Sequence, residues 1–544
     1  MTSPRIRPAL LAILLLALTP LVGRAVEVPA GSGAPPPVAL APLVFDVRTF
    51  GAKGDGTTLD TDAINRAIAA ASAAGGGTVR FPAGSYLSYS IRLRSNLALY
   101  LDAGATILAA AQPAAGEPGY DPAEPNLLNG QDNVYQDYGH SHFHNSLIWG
   151  ENVENVSILG PGRIYGLGLL RNGGNRPGQG NKAIALKLCR NVTLKDFTLL
   201  QAGWFSLLAT GVDNLTIDGL RVDTNRDGFD IDCCRNVHVS NCSVNSPQDD
   251  GICLKSTFAL GFARPTENVT ITNCQVSGYI MGTFLDGTYR ANGLGGTGRI
   301  KFGTESNGGF RNITISNCVF DHCNGLALEA VDGGIIEDVT ISNLAMRHIA
   351  NAPVFVRLGH RMRGPAGTPI GVIRRVSISG LVASDVSGRS AMLIAGTAGH
   401  PIEDLRLTDI RVSFQGGGTA AQADNNPPED EPNFYPEPGS FGLLPSYGLF
   451  ARHVTGLTAR HVEVGFVNAE QRPPVILDDV AGVTLDDILG QRTAGAPLVM
   501  AWGVHDLTAR SLPGLADAHL DAVGATAAGQ ALFRSAAAVV PPKP

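Results

Sequence analysis

Short runs of alternating apolar and polar residues recur along this chain at intervals of about 22 to 26 residues, with some longer steps. One motif, loosely Asn-Val-Thr-Ile-Ser-Asn, marks the interval. Its key apolar residue falls at Val156, Val192, Leu215, Val237, Val269, Ile313, Val339, Val376, Leu405, Leu457, Val483 and Leu507. Each unit reads as an alternating run, a polar turn and another alternating run. That is two or three strands per unit, with no helical period between them. A leucine-rich repeat would show a fixed Leu lattice, which is absent, and a propeller blade needs about 40 residues. The pattern therefore predicts an all-β chain: a right-handed parallel β-helix (solenoid) of ten or more coils over residues 45–510.

One segment breaks the period. In Thr61–Ala71, Ile64, Ala67, Ile68 and Ala71 recur at helical spacing, and Gly75-Gly76-Gly77 follows. A solenoid needs its open end covered, so this is read as a short N-terminal capping helix. Residues 112–145 and 415–445 interrupt the repeats with Pro-rich and Gly-rich insertions, which are expected to be long loops walling a cleft. Beyond about residue 511 the repeats fade into an Ala-rich stretch, expected to be a loosely ordered C-terminal tail (511–544).

Composition narrows the setting. The 544 residues carry 16% charged side chains and a net charge of −7, which suits a globular protein and disfavours nucleic acid as a partner. Met1–Ala25 has Arg5 and Arg7, an apolar run from Ala9 to Leu18 and small residues at Gly23-Arg24-Ala25. It reads as a secretory signal cut after Ala25, followed by a linker over 26–44. The mature protein is expected to be exported, periplasmic or extracellular, monomeric and without a membrane span. All eight cysteines lie between Cys189 and Cys323. Three share one repeat slot (Cys242, Cys274, Cys318), which favours small buried core residues, with one or two disulfides left open.

Two acidic clusters stand one repeat apart: Asn225-Arg226-Asp227-Gly228-Phe229-Asp230 and Gln248-Asp249-Asp250-Gly251. Residues one coil apart lie roughly 4.8 Å above one another, so the repeat alone gathers Asp227, Asp249 and Asp250. Like charges that close raise the proton affinity of one of them. An acid beside a base is what glycoside hydrolysis uses. Asp230 and Asp232 read as fillers of polar turns.

These motifs resemble those of glycoside hydrolase family 28, the polygalacturonase-like pectin hydrolases. Asn225-Arg226-Asp227-Gly228-Phe229-Asp230 resembles the family's N-x-D-G-x-D signature, and Gln248-Asp249-Asp250 its Q/G-D-D signature. Gly160-Pro161-Gly162-Arg163-Ile164-Tyr165-Gly166-Leu167-Gly168 resembles its glycine-rich turn, and Phe50-Gly51-Ala52-Lys53-Gly54-Asp55-Gly56 the opening of many pectin-active β-helices. The resemblance implies an exported, inverting hydrolase of galacturonic-acid-containing pectic polysaccharide. Asp249 would be the general acid, and Asp227 and Asp250 would hold and deprotonate the attacking water.

Two departures stand out. Thr297 takes the place of the family's G-H-G histidine, and Ala327-Leu328-Glu329 takes that of its R-I-K cations. Arg299-Ile300-Lys301 matches R-I-K in the preceding coil. Arg299 and Lys301 are therefore candidate cations for a sugar carboxylate, with a solvated strand edge as the alternative. Lys255, His142 and His144 are further candidate substrate-binding residues, the two histidines through the alternation His140, His142, His144. No metal and no cofactor is expected. A pectate-lyase-type enzyme and a non-catalytic carbohydrate-binding β-helix remain as rival readings.

Overall fold

The computed structural model describes residues 43–171, 176–293, 295–430, 435–513, 516–523 and 530–532. The expected signal segment and nearly all of the linker lie outside the described residues. Within them, one 36-stranded sheet winds as a right-handed parallel β-helix. The twelve recurrent apolar residues form a single ladder in which each pairs with the next, from Val156 with Val192 through to Val483 with Leu507. All are buried inside the coil. Removing such a side chain to Ala would cost about 2–5 kcal/mol, because coils above and below prevent the space from collapsing.

The early coils hold three short strands each, as in Lys182–Lys187, Arg190–Lys195 and Thr198–Leu200. Later coils fuse the second and third into one long bent strand, such as Ile335–Ile349 and Val372–Val386. The Asn that opens the motif makes the bend. Asn96, Asn155, Asn191, Asn214, Asn236, Asn268 and Asn312 all have left-handed backbone, with φ between 53° and 62°. Asn tolerates this conformation better than other residues with a side chain. Their side-chain amides also form a ladder along the helix axis: Asn191 donates to Asn155, Asn214 to Asn191 and Asn236 to Asn214, at 2.8, 2.8 and 3.1 Å.

The capping helix spans Thr61–Ala73 and buries Ala63, Ile64, Ala67, Ile68 and Ala71 against the first coils. No helix among the described residues is long and apolar enough to cross a membrane. All eight cysteines are buried and reduced. The stretch expected as a loosely ordered tail supplies two strands, Ala518–Val523 and Gln530–Leu532, antiparallel to Val504–Arg510 and Val499–Trp502. They pair with the backbone edge that the last coil would otherwise leave open.

Both insertions are fastened to the outer face of one sheet. Phe143 from the first packs with Ala185, Phe205 and Leu208. Phe441 and Leu444 from the second cover Ala327, Phe355, Leu393 and Phe450. Between these apolar patches the outward face of the same sheet is polar. That window comprises the strands Asp227–Asp232, Ile252–Ser256 and Ile300–Ser306.

Candidate active site

The window is built by alternation. In Asp227–Asp232, Phe229 and Ile231 point into the core, so Asp230 and Asp232 must point out. The register carries this onward: Asp230 pairs with Cys253 and Cys253 with Lys301, while Asp232 pairs with Lys255. Gly228 N–H donates to the Asp250 carbonyl at 3.0 Å, which sets Asp227 beside Asp250 on the adjacent coil. The three acids therefore meet on one surface.

Each carboxyl has its own surroundings. Asp227 is 4% exposed. Burial, then the carboxylates of Asp249 and Asp230, push its proton affinity well above the ordinary range, against the pull of Lys255 and Arg226. Asp249 is the most open of the three. The Arg226 guanidinium donates to it at 2.5 Å, lies 3.7 Å from Asp227 and rests over the Trp204 ring. Burial alone would raise Asp250, but Lys301, Arg299 and Lys255 outweigh it and hold Asp250 ionised below its ordinary value. A carboxyl whose proton affinity is raised thus stands one coil from one whose proton affinity is lowered. That is the division of labour that acid and base catalysis on a glycosidic bond needs.

Arg299 and Lys301 do face this window and are almost wholly buried, so they are not a solvated strand edge. Arg299 Nε donates to Asp250 at 2.8 Å, and its two terminal nitrogens grip Glu437 of the second insertion at 3.1 and 2.5 Å. Lys301 Nζ lies 3.6 Å from Asp250, 3.4 Å from Glu329 and 3.8 Å from Glu437. It donates to Thr304 at 2.9 Å. Glu329, where the resemblance would place a cation, is buried, and burial pushes its carboxyl up to about 7. Lys255 is buried behind Asp230 and paired with Glu305 at 3.1 Å, so it shapes the field rather than meeting solvent.

The histidines divide differently from the expectation. His140, not His142 or His144, reaches the acids: its Nε2 lies 3.1 Å from Asp230. His142 lines a separate cavity of about 570 Å³ with Glu124, Gln136, Tyr138, Asn145 and Arg176, on coils toward the N-terminus. Its Nδ1 meets the Glu124 carbonyl at 2.8 Å. His144 bonds Glu151 at 2.9 Å and stacks on Trp149. Asp232 is structural, accepting from the Thr210 hydroxyl and from the Thr257 N–H and hydroxyl. Asp230 belongs to the site, and the Phe229-Asp230-Ile231 alternation was the signal for it. Glu437 had no such signal, and the alternation His140, His142, His144 could not say which histidine reaches the acids, because both depend on how an insertion lands.

The sequence model of the family described as Glycosyl hydrolases family 28 matches residues 127–283, a span that contains all three acids. Over that span the chain is similar to glycoside hydrolase family 28. A second model, described as rhamnogalacturonase A/epimerase, pectate lyase-like, matches residues 44–156. Among curated proteins, it is 26% identical over 389 residues to a probable polygalacturonase of Vitis vinifera, covering 67% of this chain and 73% of that one. It is 25% identical over 366 residues to an exo-poly-alpha-D-galacturonosidase of Dickeya chrysanthemi, covering 59% and 58%. Its fold is shared with two solved structures, each 18% identical. One is an exopolygalacturonase of Thermotoga maritima (TM-score 0.53; 68% and 87% covered), the other a family 28 exopolygalacturonase of Yersinia enterocolitica (0.54; 87% and 79%).

Proposed function

We propose that this glycoside hydrolase cleaves galacturonic-acid-containing pectic polysaccharide outside the cell by an inverting mechanism centred on Asp227, Asp249 and Asp250. The observation that carries the reading is the split within the trio: Asp227 buried and pushed toward its protonated form, Asp250 held ionised by two buried cations. By resemblance, Asp249 gives its proton to the leaving glycosidic oxygen. Asp227 and Asp250 orient a water on the opposite face of the ring, and Asp250, the ionised one of the two, takes its proton as the water attacks, which inverts the anomeric centre. The solvent-facing position of Asp249 suits a group that must be reprotonated each cycle. The substrate class rests on the polygalacturonase names of the relatives.

One observation favours a second assignment within the same trio. The raised proton affinity belongs to Asp227, through burial and the neighbouring Asp249 and Asp230 carboxylates, which is the direction a general acid needs. Leaving-group dependence separates the two. On pectic oligosaccharides, Asp227→Asn, Asp249→Asn and Asp250→Asn should each lose about 10²–10⁴-fold in rate. On an aryl galacturonide whose leaving group needs no proton, only the variant lacking the general acid keeps its rate. Recovery by Asp249→Asn supports the family assignment, and recovery by Asp227→Asn exchanges the roles. An ultraviolet-absorbing unsaturated product would instead indicate a lyase. Three variants as active as the parent would end the hydrolase reading.

A further inference from the structure

Arg299 and Lys301 are the cations nearest the acids on the C-terminal side of the window, yet the chain itself already occupies them. Glu437 comes from 138 residues further on and lays its carboxylate along the Arg299 guanidinium in a two-point grip, with Lys301 3.8 Å away. Planar guanidinium–carboxylate pairing of this kind is the arrangement that recognises the acid group of a uronic acid. Tyr435 stands beside it: its ring lies 5.8 Å from Lys301 Nζ, and its hydroxyl accepts from Thr304 Oγ1 at 3.1 Å. The segment is anchored. Glu437 directly precedes the short 3-10 turn Pro438–Phe441, and Phe441 is buried against Phe355 and under the Arg357 guanidinium. Counting charges, two cations face the carboxylates of Asp250 and Glu437, with the buried Glu329 carboxyl beside them, so no positive charge is left over at this position for a second carboxylate.

We propose that Glu437 is a specificity-determining residue: a carboxylate supplied by the chain fills the seat on Arg299 and Lys301, so the sugar bound against that pair is an uncharged one. A galacturonate placed there would meet the Glu437 carboxylate rather than a free guanidinium. A neutral ring, such as a deoxyhexose or hexose, would instead find hydroxyl partners in the exposed Glu437 oxygens and the Tyr435 hydroxyl. The consequence is a preference for chains in which galacturonate alternates with neutral sugar over chains of galacturonate alone. This rests on the pectic reading above and sharpens it.

The test begins with the parent protein. Its kcat/KM on oligosaccharides of alternating galacturonate and rhamnose should exceed that on oligogalacturonates of equal length at least tenfold. Glu437→Gln keeps the shape and removes the charge. It should narrow that ratio tenfold or more, mainly by lowering KM for oligogalacturonate, and should bind free galacturonate at least tenfold more tightly by calorimetry. Thermal melting checks that the variant is folded, and Glu437→Ala repeats the comparison if it is not. A parent protein that prefers oligogalacturonate, or an unchanged ratio in folded variants, overturns the role of Glu437. Absence of cleavage of either chain by the parent protein overturns the pectic reading instead, and galacturonate binding then still decides the seat on Arg299.

Discussion

At the scale of single residues, the site is governed by which carboxyls can afford to be ionised in a buried surrounding. Glu329 has neither side-chain oxygen in a hydrogen bond, with Lys301 at 3.4 Å and Arg299 at 3.9 Å as its charged neighbours, so burial raises its carboxyl to about 7. Between its ordinary value near 4.5 and about 7, the unfolded chain releases this proton while the folded protein keeps it. The stability Glu329 contributes is therefore complete at low pH and is lost as pH rises through that window. Glu329→Gln should abolish that loss and make the protein more stable than the parent at pH 8, by up to about 3 kcal/mol. The two should be alike at pH 4, as read by denaturant unfolding. A stability difference that does not change with pH would show that Glu329 is not buried as a neutral acid. Legibility follows the same physics. Asp227, Asp249 and Asp250 could be found in the sequence because a local repeat brings them together. Glu437 could not, since its place on Arg299 depends on where an irregular insertion lands.

At the scale of elements, the repeat was legible because each rung must satisfy three demands at once. These are an apolar residue inside, a left-handed corner (Asn in the rungs up to Ile313, then Asp338, Arg375, Asp404, Gly456, Gly482 and Asp506) and a polar residue outside. The twelve apolar positions were all recoverable, since a slip of one residue would turn each of them outward. The amide ladder was not foreseen, because it arises only when successive corners stack. Its worth can be separated from its backbone role at Asn214, which has φ 58°, donates to Asn191 and accepts from Asn236. Asn214→Gly keeps the left-handed corner and loses the two hydrogen bonds, which should cost about 1–2 kcal/mol. Asn214→Ala loses the bonds and strains the corner as well, adding about 1 kcal/mol. Equal losses for the two substitutions, measured by thermal or denaturant unfolding, would mean the corner itself carries no strain.

For the whole molecule, the question is how a polymer reaches three acids lying between two anchored insertions. The first insertion crosses one edge of the window, pairing Asp137 with Arg363, Asn133 with the Phe258 carbonyl and His140 with Asp230. The second closes the C-terminal side through Glu437 on Arg299. The opposite edge carries the loop that follows the strand Gln275–Ser277, tied down where the Leu285 N–H donates to Asp223 and where Tyr279 and Asn245 exchange hydrogen bonds. Three strands at about 4.8 Å spacing leave roughly 10–15 Å of open floor along the axis. A through-running chain needs a trough open at both ends, whereas a floor walled on three sides accepts a chain end. The enzyme should therefore act from chain ends. On a long pectic chain, reducing groups should accumulate steadily while viscosity stays near its starting value, and the products should be uniformly short. An early collapse in viscosity, with long fragments appearing before short ones, would show that the walls part to admit the chain interior. His140 makes that distinction sharper: among the anchors of the first insertion, it is the one that meets a carboxyl of the catalytic surface, Asp230. In His140→Ala, the wall should loosen, and the balance should move toward interior cleavage without loss of the three acids.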